Sequence, residues 1–233
     1  MEVKKIRVLV VYHYIAKYRE PIFASLANYE GDREFEFAAD TISPTDIKLA
    51  SPIFFENKKF KRIVNLWVFG GLWQIGLWSL IRRGDYDEII FLGDPSFFST
   101  WIAAAVLRFS RVKVFFWAHG LVRGRGIKDT LKLVYYRFAD GLLLYGDGAR
   151  RNLKSRGVPA SKLFTIYNSL DYLEQKRIRM TLDKNEVIAK KNILFKNPTS
   201  SQLVFVGRLT KQKKINLIVD MVAEFRERGR CVD

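Results

Sequence analysis

Cysteine and histidine are scarce in this sequence of 233 residues. The single cysteine, Cys231, excludes an intramolecular disulfide framework and a cysteine-cluster metal site. Only two histidines occur, His13 and His119, which leaves little for a histidine-rich site. The sequence also lacks a P-loop, a GxSxG nucleophile elbow, an HExxH motif and a metal-binding cluster of carboxylates. These absences argue against the common classes of P-loop nucleotide hydrolase, serine hydrolase and zinc protease.

Acidic residues are few relative to basic ones. The chain holds 40 Lys and Arg against 24 Asp and Glu, a net charge of +16. Residues 1–149 carry +5 of this excess and residues 150–233 carry +11, and no run of five or six like charges forms a tail. Such a charge favours an anionic partner, either nucleic acid, anionic lipid or a phosphorylated substrate. A generically basic soluble surface is the alternative.

Long hydrophobic runs are absent, with one segment coming close. Residues 63–81 contain no charged side chain, and a membrane-spanning helix needs ~20 residues. Basic residues lie on both sides, at 58–62 and at Arg82 and Arg83. Three glycines interrupt the segment, and its three tryptophans suit an interface better than a bilayer centre. We favour a soluble strand–loop–helix here, with a helix at an anionic membrane surface or a true span as alternatives.

The remaining composition predicts a folded α/β domain. Hydrophobic residues make up 48% of the chain, enough apolar area to offset the entropy of ordering. Short apolar runs rich in β-branched residues alternate with segments of helical spacing, which indicates βαβ units and a parallel sheet with flanking helices. The predicted strands are residues 6–12, 35–39, 88–92, 112–117, 141–145 and 162–167. One predicted helix begins near Pro21, and three others cover residues 96–109, 127–138 and 146–156.

The character of the sequence changes after residue 171. Residues 1–171 form the predicted Rossmann-like domain, and residues 172–200 are a polar, basic linker of helical propensity. Residues 201–233 predict one further strand, at 203–206, and a helix over about 212–228. One strand and one helix bury too little apolar area to form a core. We therefore expect the start of an incomplete second α/β domain, with its missing part in a longer product or a separate chain.

The loop after the fourth predicted strand is a candidate site, because ligands of an open parallel sheet bind beyond the carboxyl ends of its strands. His119 follows that strand directly, and Gly120 permits close backbone approach. A histidine here can hydrogen-bond a sugar hydroxyl or stabilise a developing charge, or it can simply cap local backbone. Arg123 and Arg125 continue a glycine-rich, cationic loop that suits an anionic group or is only solvated.

A second candidate site lies in the C-terminal part. Gly207 ends the predicted strand, Arg208 follows, and Lys213 stands five residues later at the start of the predicted helix. Cations at a helix N-terminus oppose the helix dipole. An anion held between them by the cations and the helix amides removes this conflict, and a diphosphate fits. A chance basic turn is the alternative.

Two further groups follow predicted strands at the same edge. Asp94 ends the strand at 88–92, where its carboxylate could meet substrate hydroxyls or merely form a turn. Tyr12 and His13 end the first strand, and the segment 17–19 comes shortly after. These side chains either line an acceptor cleft or pack and cap.

Taken in order, these motifs resemble those of a known family, the retaining group 1 glycosyltransferases of GT-B fold. The resemblance covers essentially the whole chain and rests on four segments: YREPIF at 18–23, HG at 119–120, GVPASKL…NSLD at 157–171 and GRLTKQK at 207–213. The resemblance implies two Rossmann-like domains facing across a cleft. It also implies that Arg208 and Lys213, with Gly207, bind the donor diphosphate, and that His119 lies near the transferred sugar as a catalytic residue.

The resemblance further implies the reaction. A sugar passes from a nucleotide-sugar donor to a lipid-linked or polysaccharide acceptor of the cell envelope, with retention and without a metal or cofactor. The sequence departs from the pattern at Lys214 and Ser169, where the family has glycine, and in the first loop, where glycines are replaced by residues 12–15. The two carboxylates of the family's donor domain are not in this sequence, so we expect the chain alone to be incomplete.

Two other functions remain open from the sequence. A non-catalytic, membrane-binding acceptor module that recruits a separate donor-binding chain accounts for the basic charge, the tryptophans and the missing half. A nucleic-acid-binding protein is supported by charge alone, with no recognised module, so nucleic acid is not an expected partner. The N-terminus has no signal-peptide h-region, and we expect a cytoplasmic protein, peripheral on the inner face of the plasma membrane.

Overall fold

The computed structural model describes residues 4–44, 47–121, 126–168, 171–195, 197, 199–207 and 209–230. These residues form two compact units, Met1–Tyr172 and Leu173–Asp233. Each unit is described by itself below.

The first unit is built on a parallel sheet of seven strands among its described residues. The strands are β1 (Ile6–Tyr14), β2 (Arg33–Asp40), β3 (Phe60–Arg62), β6 (Glu88–Leu92), β7 (Lys113–Ala118), β8 (Gly141–Leu144) and β9 (Leu163–Thr165). Their order is β3-β2-β1-β6-β7-β8-β9, with every neighbouring pair parallel. The chain thus winds outward from β1 in one direction and from β6 in the other. This is the doubly wound Rossmann order, and it confirms the predicted fold class.

Helices cover both faces of the sheet. They are α1 (Glu20–Ala27), α2 (Pro52–Glu56), α3 (Leu77–Arg83), α4 (Phe98–Leu107), α5 (Ile127–Tyr136) and α6 (Asp147–Ser155). Alternate residues of β1 enter two separate cores: Leu9 and Val11 join the core under α3 to α6, and Val8 and Val10 join the core under α1 and α2. A strand buried on both faces needs apolar residues throughout, which is why the sequence of β1 shows a continuous run.

The charge-free segment folds as an antiparallel hairpin followed by a helix, and this corrects the predicted strand–loop–helix. Strands β4 (Val64–Val68) and β5 (Gly71–Ile75) pair outside the main sheet, and α3 follows directly. Phe69 and Gly70 make the turn with positive φ angles of 49° and 76°, as a type I′ hairpin requires. No helix within the described ranges is both long and apolar enough to cross a bilayer.

From Tyr172 onward, the helical elements of the described residues are three α-helices and a short 3₁₀ segment. The helices are α7 (Tyr172–Thr181), α8 (Lys184–Leu194) and α9 (Ile215–Glu227), and the 3₁₀ segment is Lys211–Lys213. The predicted strand at 203–206 is wrong, because these residues pair with no other strand in the described part of the chain. A lone strand leaves its backbone groups to water, and no described residue of this unit is buried.

Candidate functional site

The carboxyl ends of β1 and β6 lie side by side, where the winding of the sheet reverses. In doubly wound sheets this switch point opens a crevice for ligands. The register of β1 against β2 shifts between Val11 and Tyr14, and such irregularities redirect side chains at the ends of strands. Tyr12 and His13 occupy this shift. The edge formed by the ends of β1, β6, β7 and β8 is therefore the candidate site.

His119 lies at this edge, directly beyond β7. Its side chain is exposed to solvent, and its ring packs on Tyr145 with 4.2 Å between centroids. Partial burial and the charges of Lys132 and Arg19 lower the pKa of His119, while Asp94 opposes the shift. The imidazole is consequently neutral at pH 7, with one nitrogen that donates a hydrogen bond and one that accepts.

Gly120 determines how the chain leaves His119. It is buried, and its φ angle of +77° lies in the left-handed region that favours glycine. A Cβ atom at this position would come within 2.7 Å of the Ala149 Cβ on α6. The predicted close backbone approach is thus an approach to α6, and it holds the loop that carries His119 against the domain.

Arg19 is buried beside His119 without a carboxylate partner. It is 7% exposed, and among the described residues it joins no ion pair. One Nη2 hydrogen donates to the Tyr145 hydroxyl at 2.9 Å, and the guanidinium lies 5.6 Å from the Trp117 ring centroid and 5.2 Å from that of Tyr145. Its Nη1 atom is buried without a described partner. Arg19 therefore orients Tyr145, which in turn contacts His119.

Tyr12 is buried near the end of β1, and His13 beside it is half-buried. Tyr12 is 5% exposed and packs edge-to-face on Phe23 and Trp117, so its ring belongs to the core. The His13 ring packs on Tyr14 with 3.8 Å between centroids, and burial lowers the pKa of His13 to about 4, with Asp94 opposing. The structure thus shows packing contacts for both side chains, and their role at an acceptor cleft stays a prediction.

Asp94 connects the members of the site electrostatically. Its Oδ1 accepts hydrogen bonds from the amide and hydroxyl of Ser96 at 2.9 and 2.8 Å, which is the turn that the sequence left open. The side chain remains exposed, and its charge acts on His13, His119 and Lys132. Asp94 thus forms a turn and also faces the candidate site.

The predicted diphosphate residues belong to the second unit. Lys213 is exposed, ends the 3₁₀ segment and donates its amide to the Thr210 carbonyl at 2.9 Å. It stands two residues before α9, since Lys214 intervenes with a left-handed φ of 49°. Gly207 is also described and exposed. Arg208, Arg123 and Arg125 lie outside the described residues.

Lys132 and Tyr145 lie at the candidate site although neither was predicted from the sequence. Tyr145 directly follows β8, so the strand-end rule that selected His119 could have selected it too. Lys132 lies within α5, where no sequence signal separates it from other helix lysines. Burial lowers the pKa of Lys132, and Asp94 opposes.

The electrostatic role of Lys132 leads to a testable prediction. Because its positive charge disfavours protonation of His119, Lys132→Met should raise the pKa of His119 toward its ordinary value of 6.5. NMR titration of the imidazole protons measures this directly, since the chain holds only two histidines. Lys128→Met, on the same helix, is the control and should leave the titration unchanged. An unshifted midpoint in Lys132→Met would contradict the assigned effect of the Lys132 charge on His119.

Comparisons with known proteins identify the fold. No protein-family model and no curated protein matches the sequence. A UDP-N-acetylglucosamine 2-epimerase structure superposes with a TM-score of 0.55 and 13% identity, over 99% of this chain and 63% of that one. The UDP-N-acetylglucosamine 2-epimerase of Methanocaldococcus jannaschii superposes with a TM-score of 0.51 and 15% identity, over 98% of this chain and 64% of that one. A complex of that enzyme with UDP-GlcNAc and UDP superposes with a TM-score of 0.50 and 14% identity, again over 98% of this chain and 64% of that one.

The chain spans less than two thirds of the length of each of these structures. At these identities the similarity shows the fold alone, a GT-B-like Rossmann fold. It does not show which reaction the chain takes part in.

Proposed function

We propose that this chain is the acceptor-side part of a glycosyltransferase that moves a sugar from a nucleotide-sugar to a lipid-linked or polysaccharide acceptor. The observation that carries the proposal is the position of His119. It lies exposed beyond the central strands of a GT-B-like sheet, next to Asp94 and an oriented Tyr145. The four segments that resemble group 1 glycosyltransferases, including the HG pair itself, support the same reaction.

The site residues would have distinct roles in this reaction. A neutral His119 can accept a hydrogen bond from a sugar hydroxyl at one nitrogen and donate one at the other. Asp94, as an exposed carboxylate at the same edge, can accept hydrogen bonds from acceptor hydroxyls. Arg19 acts through Tyr145 and holds the ring on which His119 packs.

The donor would be held by the second unit. Gly207, Arg208 and Lys213 follow the diphosphate-binding pattern of the resemblance, and both cations would stabilise the negative charge on the departing nucleoside diphosphate. No metal or cofactor enters this proposal, because two cationic side chains can supply the charge. The reaction would take place on the cytoplasmic side of the plasma membrane, where nucleotide-sugars meet lipid-linked acceptors.

Epimerisation of a nucleotide-sugar is the second candidate. It is favoured by the structural similarity to UDP-N-acetylglucosamine 2-epimerases over almost the whole chain. Both candidates begin with a nucleotide-sugar bound through its diphosphate. They differ in the fate of the sugar, which leaves the nucleotide for good in transfer and stays on it in net epimerisation.

Calorimetric titration with UDP, GDP, ADP and dTDP tests the step that both candidates share. The protein at its full natural length should bind at least one of them. Lys213→Ala should weaken that binding by about 10- to 100-fold, the value of a charge-assisted hydrogen bond. Lys211→Ala is the matched control, because it removes an equal charge from the same 3₁₀ segment, and it should bind like the parent protein. Failure to bind any of the four would overturn the proposal.

Mass spectrometry of the products separates the two candidates. With a membrane extract as acceptor, transfer releases the nucleoside diphosphate and adds a sugar mass to a lipid or glycan. Net epimerisation leaves the nucleotide-sugar mass unchanged and inverts one carbon of the sugar, which chromatography resolves. Release that persists with EDTA would agree with a metal-free reaction.

A further inference from the structure

The hairpin β4–β5 and the first turn of α3, residues 64–78, form an exposed apolar surface, named here the aromatic hairpin. Its side chains carry no charge. Seven of its large apolar residues are 41–99% exposed: Val64, Leu66, Trp67, Phe69, Trp73, Ile75 and Trp78. Contiguous exposed apolar surface on a soluble domain marks a site that contacts another surface.

Phe69 at the tip of the hairpin has no stabilising role within the domain. It is 99% exposed and has a left-handed φ of 49°, which is strained for a bulky residue. Asparagine before Gly70 would suit this type I′ turn better. The phenylalanine therefore costs local stability, and its ring is available only for contacts outside the domain.

An apolar groove and a basic patch continue the same surface. The groove has a volume of about 380 Å³ and lies between β5, α3 and α4, with Trp73, Ile75, Trp78 and Ile102 among its lining. Trp78 also borders a second depression, formed with Arg82 and Arg83 of α3. Both arginines are exposed, and neither pairs with a carboxylate of the described residues. Apolar volume beside unpaired cations complements a lipid with an anionic head group.

The hairpin is fixed rigidly to the edge that carries the candidate site. The Asn65 side chain donates to the His13 carbonyl at 2.5 Å, and the buried Gln74 side chain donates to the Tyr12 carbonyl at 3.0 Å. The backbone amide of Gln74 donates to the Ser99 hydroxyl at 2.9 Å. These bonds hold the exposed face in one orientation relative to the strand ends, so docking through it would set the height of that edge above a membrane.

We propose that the aromatic hairpin docks this protein on a bilayer containing anionic lipid, with Phe69, Trp73 and Trp78 in the interface and Arg82 and Arg83 at the head groups. Aromatic rings favour the boundary between head groups and acyl chains, and basic residues add attraction to anionic lipid. The inference rests on this surface alone and holds for a transferase or an epimerase.

Cosedimentation with vesicles of phosphatidylcholine, with and without phosphatidylglycerol, tests the proposal on the full chain. The parent protein should bind vesicles that contain phosphatidylglycerol more tightly than vesicles of phosphatidylcholine alone. Phe69→Asn should weaken this binding about tenfold or more, because the ring leaves the interface, while the thermal midpoint stays equal or rises. Arg82→Gln should weaken binding to anionic vesicles about fivefold and leave binding to neutral vesicles unchanged.

Ile53→Ser is the matched control. Ile53 is 80% exposed on α2, on the opposite face of the sheet, and its replacement should not change vesicle binding. Equal binding of the parent and Phe69→Asn would overturn the proposal. So would a dimer in sedimentation equilibrium that Phe69→Asn abolishes in the absence of vesicle binding, since the surface would then contact a second copy.

Discussion

Phe116→Ala is expected to lower the free energy of unfolding by about 3–5 kcal/mol, the range for a fully buried phenylalanine. Phe116 is 0% exposed in β7, an interior strand of the sheet. Its ring stacks on Tyr135 with 4.4 Å between centroids and an interplanar angle of 13°. The substitution removes this contact and leaves a cavity between the sheet and α5, which surrounding side chains can fill only in part.

Urea denaturation followed by circular dichroism measures this effect. The matched control is Phe109→Ala, because Phe109 is 91% exposed and its removal should change stability by less than about 0.5 kcal/mol. A loss below about 1 kcal/mol in Phe116→Ala would mean that α5 does not pack on β7 as described.

Acid should destabilise the chain through His13. Burial lowers the pKa of His13 to about 4 in the folded state, against about 6.5 when unfolded. Below pH 6.5 the unfolded state therefore binds more protons than the folded state, and stability falls as the pH falls from 6.5 to 4. At about 1.4 kcal/mol per pKa unit, His13 accounts for a loss of about 2–3 kcal/mol over this window. His119, whose pKa is also lowered, adds a loss of the same sign.

His13→Phe is the informative variant for this prediction. Phenylalanine keeps an aromatic ring against Tyr14 and Phe97 and cannot titrate. Unfolding free energies measured at pH 7 and pH 4.5 should differ by about 2 kcal/mol less in His13→Phe than in the parent chain. The same pH dependence in both proteins would show that His13 is open to solvent.

Most of the fold could be predicted from the sequence because parallel strands buried on both faces leave an unmistakable pattern. The strand at 88–92 was predicted with the bounds the structure has, and the other five differ by a few residues at their ends. The short strand Phe60–Arg62 and the helix Pro52–Glu56 were missed, since neither is long enough to show a period. The hairpin was missed because Phe69 stands where a tight hairpin turn usually has Asn, Asp or Gly, although Gly70-Gly71 does mark a loop.

The residues of the candidate site likewise fall into those that a local sequence pattern predicts and those that it does not. His119 follows β7 directly and Asp94 comes two residues after β6, so the strand-end rule selected both as candidates. Arg19 and Tyr145 are 126 residues apart and meet only because β8 and the start of α1 reach the same edge of the sheet. No local pattern encodes such a contact, and no local pattern predicts that the Tyr12 side chain is buried in the core.

Composition and periodicity by themselves determined that this is an α/β protein with a basic charge and a candidate site at the ends of its strands. These properties follow from local chemistry, because the pattern that predicts each strand, helix or strand-end loop lies within a few neighbouring residues. Only the tertiary structure decided that Arg19 is buried beside His119 and that the charge-free segment presents its aromatic residues outward. Burial and exposure of those residues depend on which distant segments cover them, and that is settled only when the chain has folded.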